Sequence, residues 1–302
     1  MRQAREVAAR LAAIGVEGEL VMYTTTGDRR LDVPLSAIGA KGLFTAELEA
    51  DLRAGRVDCC VHSLKDLPTD SAPGVAVLAV LPREDSRDAL VVAPHVHAAS
   101  IDELPSGAVV GTSSLRRRAQ LLAQRPDLQV VELRGNVPTR LRKVAEGLVD
   151  AAILAAAGLN RLGVDDRIAA LLSPPHWLAA AGQGAIAIQG RDEPGALLDL
   201  LQSLDDAGTR IAVSAERAAL SALGGGCQVP IGAAAVMDDG GASHLYGLVA
   251  AVTGVRVVRS DVPLDLLDPI ASGQRLAAAL LAAGAGELLD RSEFPTFPPQ
   301  PE

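Results

Sequence analysis

Ala108-Val-Val-Gly-Thr-Ser-Ser-Leu-Arg-Arg117 runs from an apolar strand-like segment through a small polar turn into the start of a helix. Arg134-Gly-Asn-Val-Pro-Thr-Arg140 repeats the transition after the next apolar run, Leu128–Leu133. Further strand-like runs at Val75–Leu81 and Ala151–Ala155 alternate with helical segments. Strands separated by helices imply a mostly parallel sheet with helices on both faces, an α/β fold.

Outward from this stretch, residues 1–14 set Ala4, Val7, Ala8, Leu11 and Ile14 on one helical face. Leu20–Tyr23 reads as a strand, Phe44–Ala54 as a helix and Val57–Val61 as a buried strand. The charged run Pro82-Arg-Glu-Asp-Ser-Arg-Asp88 suits a crossing into a second domain, and Trp177–Gly184 a crossing back, with Ala185–Gln189 returning to the first sheet. The expected organisation is domain 1 over 1–82 and 184–204, arginine-rich domain 2 over 83–183, and a smaller α+β domain 3 over 205–302. Two α/β halves joined by two crossings should form a hinged cleft, where ligands usually bind. After residue 205 come a helix (Thr209–Leu223), strand-like segments near 231–237, 244–252 and 255–260, and an Ala/Leu helix near 272–283. The Pro-rich tail from Phe294 is expected to be disordered.

The 302 residues are 49% hydrophobic but only 2% aromatic, so Ala, Leu and Val must build the cores. A formal charge of −9 argues against nucleic-acid binding. Three cysteines, two of them adjacent, make no disulfide framework and suit a reducing compartment. No CxxC or His/Cys cluster has zinc spacing, and no apolar run approaches the ~18 residues of a membrane span. The charged N-terminus, Arg2-Gln-Ala-Arg-Glu6, is unlike a signal peptide. A cytoplasmic protein without a membrane partner is expected.

Against that acidic background, Gly111–Lys143 carries eight basic residues and two acidic ones, a net +6, which leaves −15 elsewhere. Arg116, Arg117, Arg134 and Arg140 fall where strands hand over to helices. Free N–H groups and the positive dipole end of a helix favour anions there, and arginine adds a planar fork for carboxylate or phosphate. Arg118, Arg125, Arg142 and Lys143 read instead as a solvated helix face. His62-Ser-Leu-Lys-Asp66 also follows a strand, which should bring Ser63, Lys65 and Asp66 to the cleft; a surface ion pair is the plain alternative. Gly224-Gly-Gly-Cys-Gln-Val-Pro230 presents a thiol on a glycine turn stiffened by proline, so Cys227 is a candidate attachment or nucleophile position. Cys59 and Cys60 read as inert core thiols, and His95 and His97 as surface residues.

Nine motifs, in order along nearly the whole chain, resemble the porphobilinogen deaminase (hydroxymethylbilane synthase) family. They are Lys41-Gly-Leu-Phe44, Val61-His-Ser-Leu-Lys-Asp66, Arg83-Glu-Asp85, Gly111-Thr-Ser-Ser-Leu-Arg-Arg117, Leu133-Arg-Gly-Asn136, Gly158-Leu-Asn-Arg-Leu-Gly163, Gly182-Gln-Gly-Ala185, Ala215-Glu-Arg217 and Gly225-Gly-Cys-Gln-Val-Pro230. The resemblance implies two periplasmic-binding-protein-like α/β domains around a cleft, a third domain with the cysteine loop, and a monomer. It implies a dipyrromethane cofactor joined to Cys227 by a thioether, on which four porphobilinogen molecules condense head to tail with loss of ammonia before hydroxymethylbilane is released. It assigns Ser63, Lys65, Ser114, Arg116, Arg117, Arg134 and Arg140 to cofactor binding, and Lys41, Arg161 and Gln183 to the substrate. Asp66 would bind pyrrole N–H groups and stabilise the electron-poor azafulvenium left when ammonia departs. No metal or nucleotide is implied.

The chain departs from the family pattern in three places. Members begin with a strand and an Arg-x-Ser turn before the helix that opens here at Met1, and a misassigned start codon is the expected reason. Ala40 and Pro138 stand where glycine is common; Pro138 falls in a first helical turn, where its missing N–H costs little. Two rival readings are an inactive, N-terminally truncated member of the same family and a non-catalytic two-lobed anion-binding protein, which has no use for Cys227.

Overall fold

The computed structural model describes residues 1–23, 45–225, 229–237 and 242–289. Lys41, Ala40, Cys227 and the Pro-rich tail therefore lie outside the described residues. Two compact units emerge, Met1–Glu84 with Ala185–Ile211, and Asp85–Gly184 with Ala212–Glu302.

In the first unit, α1 (Arg2–Ala13) buries Val7 and Leu11 and α2 (Ala46–Arg53) buries Leu52. Strands β1 (Cys59–Ser63) and β2 (Val75–Val80) flank a central strand, β8 (Ile186–Arg191), which pairs antiparallel with both. Helix α6 (Ala196–Gln202) buries Leu201 in the core that holds Val7, Leu78, Leu81, Ile186 and Ile188. Cys60 is buried, and that burial pushes its thiol up to about 12, as suits an inert core thiol. Leu20–Tyr23, expected as a strand, belongs to no described sheet, and Val21 and Met22 are exposed.

The second unit has a five-stranded sheet in the order β5-β4-β6-β3-β7. Its strands are β3 (Asp88–Val92), β4 (Val109–Gly111), β5 (Gln129–Val131), β6 (Ala151–Ala155) and β7 (Ala170–Leu172). The run through α3 (Leu115–Gln124), β5 and α4 (Val137–Ala145) gives the parallel pairs β4–β5 and β4–β6 that the sequence suggests. In contrast, β3 is antiparallel to both β6 and β7. Both antiparallel intruders, β3 and β8, follow a crossing between units. The parallel rule binds only strands joined within one sheet by a crossover.

Helix α5 (Ala156–Leu162) follows β6 directly and ends at Gly163. The C-terminal part has its own antiparallel sheet, β9 (Ile231–Val236), β10 (His244–Ala250) and β11 (Val257–Pro263), in the order β11-β10-β9. Helices α7 (Ala207–Ala222) and α8 (Pro269–Ala282) supply Ala215, Ala219, Leu276 and Leu280 to its core. This part is the smaller α+β domain expected, and it lies in one compact unit with 85–184. Ala119 and Leu178 pack with Ala234, Leu248 and Ala250 in one apolar cluster, and Arg259 donates to the carbonyls of Pro175 and His176 at 3.0 and 2.9 Å. Among the described residues, no helix is long and apolar enough to cross a membrane.

Candidate active site

At the end of β1 the chain closes a single 3-10 turn over Leu64–Asp66. Leu64 and Leu67 are buried, and the Leu64 N–H donates to the Ala185 carbonyl at 3.0 Å. With its apolar neighbours turned in, the turn leaves Asp66 exposed and Lys65 half-buried. The Ser63 hydroxyl accepts from the Gln3 amide at 2.8 Å. Burial lowers the pKa of the neighbouring His62, which favours its neutral ring.

In the second unit, Thr112–Ser114 joins β4 to α3. Ser114 caps the helix by accepting the Arg117 N–H at 3.4 Å, and Ser113 donates to the Leu133 carbonyl at 2.8 Å. Arg116 and Arg117, in the first turn of α3, are both buried. They converge on Asp88, the first residue of β3, which is 0% exposed. Arg116 Nη1 lies 2.8 Å from Asp88 Oδ2, and Arg117 Nη2 2.7 Å from Oδ1. Trp177 Nε1 and Gln183 Nε2 each donate to the same carboxylate at 2.8 Å. Arg116 and Arg117 also donate to the carbonyls of Leu178 (2.6 Å) and Ile153 (2.9 Å). Burial alone would raise the Asp88 carboxyl, but the guanidinia of Arg116 and Arg117 outweigh it and hold the group well below the usual carboxylate range. Burial pulls the Arg116 guanidinium down, against the opposing pull of Asp88; arginine stays charged even so. Two cations on one anion leave this buried cluster at a net +1. Arg117 Nε is buried with no hydrogen-bond partner among the described residues.

The sequence thus placed Arg116 and Arg117 at a strand-to-helix junction, but missed that a carboxylate of the chain itself occupies part of their forks. Gln183, expected as a substrate contact, is 1% exposed and also donates to the carbonyls of Ser86 and Arg87 at 2.9 and 3.2 Å. The other candidates sit nearer the surface. Arg134 is half-buried with Nε 3.6 Å from Glu132. Arg140 donates through Nε to the Gly135 carbonyl at 2.8 Å, beside the Asn136 cap of α4, and Pro138 lies in that helix's first turn. Arg161 donates to the Gly184 carbonyl at 2.9 Å. Arg118 and Arg125, read as surface, bind the carbonyls of Val130 and of Ile101, Asp102 and Leu104.

Asp88, Trp177 and Glu216 were not found from sequence. Glu216 is 0% exposed, and its carboxylate accepts the Gly182 N–H at 2.8 Å and the Ala235 N–H at 3.0 Å, which fixes the turn that carries Gln183. A signal existed for each: Trp177 is the only tryptophan, Asp88 immediately precedes the apolar run Ala89–Val92, and Glu216 lies in the motif Ala215-Glu-Arg217. On either side of the cysteine turn, Leu223 and Val229 are anchored in the C-terminal core. Gly224 takes φ +63°, a conformation that favours glycine, and a Cβ on Gly225 would lie 2.4 Å from Ile231 Cδ1, the end of a side chain that would have to shift.

Residues 1–199 match the family model described as porphobilinogen deaminase, dipyromethane cofactor binding domain, and residues 210–282 match the porphobilinogen deaminase C-terminal domain. The chain belongs to the porphobilinogen deaminase family. A porphobilinogen deaminase of Stenotrophomonas maltophilia (strain R551-3) is 50% identical over 290 residues, covering 95% of this chain and 94% of the relative. One from Roseiflexus castenholzii is 52% identical over 267 residues, covering 88% and 86%. Among solved structures, the VFT2 domain of Bordetella pertussis BvgS aligns over 67% of this chain and 76% of its own at 20% identity, with a TM-score of 0.38, too distant to bear on function. Porphobilinogen deaminases are transferases of tetrapyrrole biosynthesis that act on porphobilinogen, and the first matched domain is the one that holds their dipyrromethane cofactor.

Proposed function

We propose that this chain condenses four porphobilinogen molecules head to tail on a dipyrromethane cofactor held as a thioether by Cys227, and releases hydroxymethylbilane. The balance is four porphobilinogen and one water to one hydroxymethylbilane and four ammonia. In each addition the aminomethyl C–N bond breaks, a C–C bond forms at the free α-carbon of the terminal pyrrole, and the proton lost there leaves with ammonia. When bound, the cofactor supplies the α-carbon at which the first porphobilinogen adds.

The chain's own residues bind, orient and stabilise. Asp66, exposed on a turn pinned by Leu64 and Leu67, accepts pyrrole N–H groups and stabilises the cation formed as ammonia departs. Ser63, Lys65 and Ser114, with Arg134 and Arg140, hold acetate and propionate carboxylates of the cofactor. Arg116 and Arg117 do so through donors that Asp88 leaves available, since a guanidinium carries five N–H groups. Arg161 and Lys41 bind incoming substrate, and Gln183 serves it through Asp88. The observation that carries this reading is the net positive cluster at Asp88, whose Arg117 Nε has no partner among the described residues, because one ligand carboxylate would answer both. We place the protein in the cytoplasm, where the free thiols of Cys59 and Cys60 stay reduced, as a monomer.

Intact-mass measurement of the purified chain tests the proposal. The expected result is an adduct of two pyrrole units that is absent from Cys227→Ser. A folded sample of unmodified mass that ignores added porphobilinogen would refute it.

A further inference from the structure

We infer that Asp88 is a positioning residue for the cofactor: it fixes the Arg116 and Arg117 guanidinia so that their remaining donors meet a carboxylate of that group. The inference rests on the functional reading above and deepens it. Asp88 cannot be a contact itself. It is 0% exposed, and its two oxygens already accept from four donors: Arg116 Nη1 and Trp177 Nε1 on Oδ2, Arg117 Nη2 and Gln183 Nε2 on Oδ1. Its backbone is equally fixed, since Asp88 pairs with Ala155 on one side and Leu172 on the other.

Each guanidinium is gripped at two points, by Asp88 and by a carbonyl, Leu178 for Arg116 and Ile153 for Arg117. Two anchors fix the plane of a guanidinium as well as its place, and so set the direction of every other N–H it carries. Arg117 Nε is held in this way, buried and without a hydrogen-bond partner among the described residues. A buried N–H left unsatisfied is costly, so a fold that fixes one in place is prepared for an acceptor.

Charge and orientation make opposite predictions for Asp88→Asn. The substitution takes the cluster from net +1 to net +2. If charge alone mattered, the variant would capture carboxylates more readily. If Asp88 positions the arginines, the variant captures them less readily, because an amide offers one oxygen where the carboxylate offered two and turns an N–H donor toward other donors.

The test uses the full chain made in a host unable to synthesise porphobilinogen. Porphobilinogen is then added over a concentration series, and the two-pyrrole mass increment is measured. Trp177, the only tryptophan, reports the cluster independently through its fluorescence. Asp88→Asn is expected to need about tenfold more porphobilinogen for half-loading, and its emission should change less on loading than that of wild type. Half-loading at an equal or lower concentration overturns the inference and leaves the proposed function standing. Failure of the wild-type chain to gain the adduct overturns both. Should Asp88→Asn not fold, Trp177→Phe decides: it deletes one donor to Oδ2 and keeps both ion pairs. A rise of about threefold is expected there, and an unchanged half-loading concentration overturns the inference.

Discussion

Replacing Gly273 by alanine sets two physical effects against each other, and the structure determines which prevails. Gly273 lies inside α8, where alanine is favoured over glycine by about 1 kcal/mol on helix propensity alone. But a Cβ there would lie 2.4 Å from the Ala215 carbonyl oxygen, 2.7 Å from Ala218 Cβ and 2.7 Å from the Ala219 nitrogen. Two of those atoms belong to the backbone of α7 and cannot rotate away, so the helices must part by about an ångström to restore ordinary contact. Overpacking of this kind costs about 1–3 kcal/mol, and a backbone obstacle puts it near the upper end. The expected net effect is a loss of about 2 kcal/mol, opposite in sign to the propensity. Urea denaturation followed by far-UV circular dichroism measures it, with attention to whether the transition stays single, since a chain of two units need not unfold in one step. The shift would also be felt beyond stability. Ala215 adjoins Glu216, whose carboxylate holds Gly182 and so the Gln183 turn, and slower cofactor loading should accompany the destabilisation. A Gly273→Ala protein as stable as wild type, or more so, would show that α7 and α8 do not meet this closely.

Asp66→Asn should leave the urea midpoint within about 0.5 kcal/mol of wild type, because the side chain is exposed. Turnover should fall at least about 100-fold through loss of its charge; a steady-state assay that finds substantial activity removes Asp66 from its role. Acid should act through Asp88. Its pKa is lowered in the folded state, so its stabilisation is present above the unfolded value of about 3.9 and is lost as pH falls below it. The difference in urea midpoint between wild type and Asp88→Asn should therefore narrow below about pH 4, and a constant difference down to pH 2 would contradict the buried ion pairs.

Local chemistry was legible in the sequence; the direction of a strand and the partner of a charge were not. Gly111-Thr-Ser-Ser114 and Arg134-Gly-Asn136 mark strand-to-helix junctions because a cap must follow the strand within a few residues, and the structure puts α3 and α4 there. Val75–Val80 and Ala151–Ala155 are strands as their apolar runs suggest. What failed depends on residues far apart in the chain. Asp88 sits at the end of a charged run that resembles a solvated linker, and only the arrival of Arg116 and Arg117, 28 and 29 positions later, accounts for its burial. Gln183 meets Asp88 across a separation of 95. Nor can hydrophobic periodicity report that β3 and β8 run against their neighbours, since a pattern of buried residues reads the same in either direction.

The place of β8 at the centre of the first sheet has a consequence for how the protein is made. Among the described residues, β1 and β2 do not pair with each other, and each pairs only with β8. On a ribosome, β1 and β2 emerge about a hundred residues ahead of β8, which at roughly 5–20 residues per second is a wait of about 5–20 s. Throughout that interval β1 and β2, the latter half valine, wait for the strand that pairs with both. The second unit's five-stranded sheet is complete by Leu172, before β8 exists. Synthesis order thus finishes the arginine-bearing sheet before the sheet that carries the Asp66 turn.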